Sequence, residues 1–145
     1  MISSLFIENS IITFLKPYFV NSLYDWYNEQ LKECNGNVFN TNKQFTHALS
    51  KIMEWNDVKL DELRIECQRH CSYQMIQSFI FFHLKKTFEL EVPIETLSFD
   101  YNKFVHHIFC LSSDLFINKI QLFNSISNYN IIQSIVEDAI RIILY

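Results

Sequence analysis

Apolar positions recur along most of this chain at intervals of three and four, the spacing that gathers side chains on one side of a helix, and rarely with the strict alternation of a half-buried strand. The clearest stripe is C-terminal: Ile131, Ile132, Ile135, Val136, Ala139, Ile140 and Ile143 predict an amphipathic helix from Asn130 to the end, with Glu137 and Arg141 as a favourable i,i+4 pair. A second runs through Phe45, Ala48, Leu49, Ile52 and Met53, preceded by Thr41 and Gln44 at the spacing of a capping box. Further upstream, residues 4 to 15 and 18 to 34 are both helix-patterned, the latter with Leu23, Trp26, Tyr27 and Leu31 along one side. Pro17 predicts a bend between them, since it lacks an N–H and disfavours helical geometry at Lys16. The stretch CNGNVFNTN, residues 34 to 42, reads as a loop.

Downstream, Asn56 or Asp57 is placed to cap a helix running to about Glu89, with a break near Ser72. Leu60, Leu63, Cys67, Cys71 (or His70) and Gln74 share one face of it, so the cysteines point inward. VPIETLSFDYN is extended or turn-like around Pro93, and helices are expected over residues 100 to 111 and 113 to 125. The expected fold is all-α, a compact bundle of about six or seven helices forming a single domain over residues 1 to 145.

Composition agrees with this reading. One glycine, Gly36, and two prolines are too few for the tight turns of an all-β chain. Apolar residues at 49% and charged residues at 19% argue against disorder. The scarcity of Gly, Ala, Pro and Arg beside abundant Ile, Asn, Phe and Tyr also matches an AT-rich genome.

A formal charge of −4 offers no basic footprint, so nucleic-acid binding is disfavoured. The first twenty residues lack a positive leading region and are interrupted by Glu8, Asn9 and Ser10, which is a poor secretion signal. No uncharged apolar run approaches the length needed to cross a bilayer. The four cysteines, Cys34, Cys67, Cys71 and Cys110, are therefore expected in a reducing compartment as free thiols or metal ligands. The expected location is the cytoplasm, without secretion.

Charge is spread unevenly: residues 51 to 91 hold 13 charged side chains, residues 104 to 145 only 5. A segment so poor in charge belongs to a core or an interface. Both are expected, with Ile132, Ile135, Val136, Ala139, Ile140 and Ile143 docking on a second copy or a larger assembly, and Trp26 and Trp55 as interface anchors.

The chemistry-bearing residues cluster at Cys67 and Cys71, one helical turn apart, and at His106 and Cys110, spaced alike. Two helices packed face to face would bring these four into a tetrahedral Cys3His set suited to zinc. Core packing is the competing and preferred reading, because free cysteine is among the most buried residue types. A disulfide between Cys67 and Cys71 is disfavoured by helical geometry. Cys110 with His106 or His107 lacks the glycine-bearing loops that usually build an oxyanion hole. Asp57, Asp61, Glu62 and Glu66 occupy the first turns of a helix, where negative charge complements the helix dipole. The chain has no dinucleotide, phosphate-loop, zinc-protease or nucleophile-elbow motif, so no catalytic residue and no cofactor is expected, zinc being the alternative.

The stretch FTHALSKIMEWNDVKLDELRIECQRH, a short helix ending in Trp-Asn and followed by an acidic Val/Leu-rich helix, resembles small helical proteins of nucleocytoplasmic large DNA viruses, over about residues 45 to 90. The resemblance implies a viral factory or virion as the location and a minor virion or assembly component as the role. The expected function is a non-enzymatic structural or protein-interaction protein acting through its apolar C-terminal helix. The alternatives are a zinc-stabilised helical adaptor and a helical inhibitor of host death or innate signalling with a peptide-binding groove.

Overall fold

The computed structural model describes residues 4–88 and 99–144, and the side chains of residues 5–81 and 99–144. Within them the chain is all-α: α1 (Ser4–Glu33), α2 (Val38–Ser50), α3 (Asp57–Gln68), α4 (Tyr73–Phe88), α5 (Tyr101–Phe116) and α6 (Tyr129–Leu144), with short 3-10 segments at Ile52–Glu54, Ile120–Asn124 and Ile126–Asn128. Of the stretch expected to be extended or turn-like, VPIETLS, residues 92 to 98, lies outside the described residues.

The bend predicted at Pro17 is absent, and α1 runs through it as one helix. Pro17 and Thr13 both face solvent, so the Thr13 carbonyl that loses its N–H partner is open to water. Buried residues on both sides of the proline, Ile11 and Leu15 before it, Phe19 and Leu23 after it, anchor the two halves in the same core. Tertiary packing thus overrides the local preference: α1 lies against α2, α4 and α6.

The turn after α1 is shorter than the sequence suggests. Asn35 and Gly36 take positive φ (54° and 81°), and the Gly36 N–H returns to the Leu31 carbonyl at 2.9 Å, which closes the helix end. Asn37 then caps α2, its side chain accepting from the Asn40 N–H at 2.9 Å. Thr41 is no cap. It is buried within α2, its hydroxyl donating to the Asn37 carbonyl, so the expected capping box at Thr41 and Gln44 is not formed. The α2 stripe is Thr41, Phe45 and Leu49, continued by Ile52, while Ala48 and Met53 are exposed.

Asn56 caps α3 as expected, accepting from the Lys59 N–H, and the break near Ser72 separates α3 from α4. The break turns Gln74 out to solvent, away from the face it was expected to share with the cysteines. Asp100 caps α5, which does not stop at Leu111 but continues to Phe116. The expected helix over 113 to 125 does not form. Ser113, its expected start, lies buried inside α5 and donates to the Leu49 carbonyl at 2.8 Å, and the chain beyond proceeds in 3-10 turns that bury Ile120 and Phe123.

α5 is the central element, packed against α3, α6 and the Ile52–Glu54 turn. Phe109 lies at its centre, with ring centroids at 4.6 Å from Phe19, 5.1 Å from Trp26 and 5.5 Å from Trp55. Aromatic rings with such edge-on and tilted contacts fill volume while matching ring edge to ring face.

Candidate functional site

The end of α3 and the start of α4 meet the first turn of α5 around sulfur. Cys67 and Cys71 are 0% and 2% exposed, held one turn apart by the Cys71 N–H donating to the Cys67 carbonyl at 3.0 Å. The Tyr101 hydroxyl lies 2.5 Å from the Cys71 carbonyl and 3.6 Å from Cys67 Sγ. Tyr18, from α1, closes the region by donating its hydroxyl to the Leu63 carbonyl at 3.1 Å. Cys71 Sγ then stands 3.7 Å from Met75 Sδ, so the three sulfur-bearing side chains follow one another at every fourth residue.

Burial pushes both thiols up to about 12; for Cys67 the Tyr101 hydrogen bond partly opposes that rise and the neighbouring Cys71 adds to it. Tyr18 and Tyr101 are raised in the same direction, chiefly by burial. At neutral pH all four are protonated, which leaves no thiolate nucleophile here.

His106 and Cys110 do not join Cys67 and Cys71, as the zinc set required. His106 faces the other side of α5's packing, with Nε2 2.8 Å from the Ile52 carbonyl and its ring stacked on Trp55 at 6.1 Å. A carbonyl only accepts, so Nε2 carries the proton and donates. Cys110 is half-buried. Among the described residues no three His, Cys, Asp or Glu side chains form a metal-sized group. The reason is register: the α5 residue that meets the cysteines is Tyr101, more than a turn before His106.

The expected interface is likewise largely internal. Ile132, Val136, Ala139 and Ile140 are 0% exposed within the single chain, and Ile135 and Ile143 pack partly against the same core. The apolar face of α6 is therefore occupied by α1 and α5, which leaves its outer residues Ile131 and Ile142 exposed. Trp26 and Trp55 are half-buried, edge to face at 5.5 Å, with Lys59 Nζ 5.8 Å and 5.5 Å from their rings. This is a cation–π contact within the chain.

Two features escaped the sequence reading. Glu8, amid the apolar positions of α1, is buried and accepts from Arg141 Nη1 at 2.9 Å, while Arg141 Nη2 also reaches Glu137 at 2.8 Å and Lys16 lies 3.4 Å from Glu137. The signal was present, since a carboxylate beside Ile7 and one turn before Ile11 and Ile12 stands at the edge of a core stripe. The second is a groove of about 410 Å³ between the N-terminal turns of α1 and the start of α4, lined by Phe6, Ile7, Ser10, Ser72, Met75 and Ser78. No spacing rule could reveal it, because it joins residues more than sixty apart. No helix among the described residues is long and apolar enough to cross a membrane. No family model, curated protein or solved structure matches the chain.

Proposed function

We propose that this chain is a non-enzymatic protein-interaction protein that self-associates through the outer face of α1's first half and the groove beside it. The carrying observation is the exposure of Leu5, Phe6 and Phe14, at 60%, 62% and 45%, on a helix whose other face is already buried. Phe6 lines the groove itself, and an exposed aromatic side chain at an apolar groove is what a protein contact requires. The buried, protonated thiols support the non-enzymatic part of the reading. A virion or assembly setting, implied by the viral resemblance, suits a small helical subunit that joins copies of itself.

The inward face of α6 has no place in this contact, because the fold already covers it. The test is molar mass by light scattering over a range of concentrations, for the wild type and for Phe6→Lys with Leu5→Lys. The expected outcome is an oligomer that the double variant converts to monomers with unchanged helicity. A wild-type monomer at all concentrations rejects self-association. In that case the same groove suits the second reading, a receptor for an amphipathic helical peptide, which such grooves hold through apolar anchors.

A further inference from the structure

We propose that Cys67, Cys71 and Met75 form a binding site for a single soft monovalent metal ion, Cu(I) in the cell. This inference does not rest on the interaction reading. Three observations carry it together. Cys71 Sγ and Met75 Sδ lie 3.7 Å apart, a separation that two ligands of one metal ion can adopt, and Cys67 stands one turn before Cys71, its carbonyl accepting from the Cys71 N–H at 3.0 Å. The donors are two thiols and a thioether, and no carboxylate or imidazole joins them into a metal-sized group among the described residues. Two thiolates and a thioether suit Cu(I), whereas structural zinc is almost always four-coordinate with thiolate, imidazole or carboxylate ligands, and a three-sulfur set that includes a thioether leaves it a ligand short. The third observation is access. Cys67 and Cys71 are buried, but Met75 is only partly so and lines the groove between α1 and α4, so the thioether is the first sulfur an incoming ion meets.

Loading balances without an oxidant. Each thiol loses its proton to solvent, two metal–thiolate bonds and one metal–thioether bond form, and the metal stays monovalent. The loaded site carries one net negative charge. Tyr101 is placed to stabilise it: its single hydroxyl proton lies between the Cys71 carbonyl at 2.5 Å and Cys67 Sγ at 3.6 Å, and a thiolate at Cys67 becomes the stronger acceptor. Without metal the same three side chains are a core contact, so the site does not compromise the apo fold.

The experiment is anaerobic titration of the reduced chain with Cu(I) held by a competing chelator, read by native mass spectrometry, with Zn(II) as the comparison ion. One Cu(I) per chain is expected, in preference to zinc, with affinity rising about a hundredfold per pH unit while both thiols release protons. Replacing Cys67 and Cys71 by Ser should lower affinity at least about a hundredfold, and Met75→Leu about tenfold. Cys34→Ser and Cys110→Ser should change nothing. Met75→Leu is close to volume-conserving, so it decides the matter even where the cysteine variants fail to fold. Absence of Cu(I) binding, binding that depends on Cys34 or Cys110, or full affinity in Met75→Leu overturns the site.

Discussion

Arg141, near the end of the last helix, donates to Glu8 in the first helix at 2.9 Å, and Glu8 is buried, its side chain 6% exposed. The contact spans 133 positions of sequence and ties the two ends of the described chain together. Removing Arg141 takes a charge-assisted hydrogen bond from a buried carboxylate, which is costly. Arg141→Ala should therefore destabilise the fold by about 2 kcal/mol, below the usual cost for a fully buried pair because water reaches the 38% exposed guanidinium. Chemical denaturation checks this, and a loss within experimental error would show that the Glu8 carboxylate is satisfied without the arginine.

The same network sets an acid limit. Glu137 is held below the usual carboxylate range, first by its hydrogen bond from Arg141, against some burial, with help from Lys16. A folded-state value below the unfolded one gives stability that is complete above the unfolded pKa, near 4.3, and disappears as pH falls through the lower folded value. Stability should thus decline below about pH 4.5, and the Glu137→Gln variant should show a shallower decline. Denaturation midpoints measured between pH 3 and 7, for both proteins, test the sign.

Pro17 offers a prediction in the opposite direction. Its ring faces solvent in the middle of a helix that would otherwise have one more hydrogen bond. Pro17→Ala should stabilise the protein by roughly 1–3 kcal/mol, less than the full interior cost of proline because the unfolded chain also gains freedom. A lower thermal midpoint in the variant would mean that α1 needs a local distortion there.

The thiols divide into two classes. Cys34 and Cys110 are half-buried, whereas Cys67 and Cys71 are buried and pushed up to about 12 by that burial. At pH 8 a thiol reagent should modify the first pair in the native state and the second only as fast as the protein opens. Because the buried pair's folded values are raised, their contribution is complete below the unfolded pKa, near 8.5, and is lost as pH climbs towards 12. Alkaline unfolding should begin above about pH 9 and move upward in Cys67→Ala with Cys71→Ala only if the cavities cost less than the titration. Rapid native-state modification of all four cysteines would contradict the buried arrangement.

Helix type was legible wherever the apolar stripe continued, as in α6, and the start of α3 was legible from Asn56, whereas the Asn37 cap of α2 was not. What misled were residues whose local preference the core outweighed. Pro17 reads as a break and Thr41 as a cap, and Ser113 sits where a new helix was expected, yet Thr41 and Ser113 are buried and Pro17 stands between buried turns. The inward direction of Cys67 and Cys71 followed from their place on the stripe. Their partner across the packing did not, because spacing along α5 cannot say whether Tyr101 or His106 meets them; that depends on how far α5 slides along α3. The same limit applied to α6, whose stripe announces burial without saying whether its cover is this chain or another.

That ambiguity is settled residue by residue through charge insertion. Ile140 is 0% exposed and Ile142 is 59% exposed, two positions apart on one helix. Ile140 is fully buried among apolar side chains, where an ammonium loses its hydration, so Ile140→Lys should cost more than about 4 kcal/mol and unfold or loosen the monomer. Ile142→Lys faces solvent and should change stability by no more than about 0.5 kcal/mol. If α6 instead docked on a second copy through its inner face, Ile140→Lys would dissociate an oligomer and leave helicity and the unfolding midpoint of the monomer intact. Circular dichroism and light scattering on the two variants side by side separate these outcomes: loss of the cooperative transition in Ile140→Lys alone places the α6 stripe inside the chain, and a well-folded Ile140→Lys monomer rejects the packing of α6 against α1 and α5.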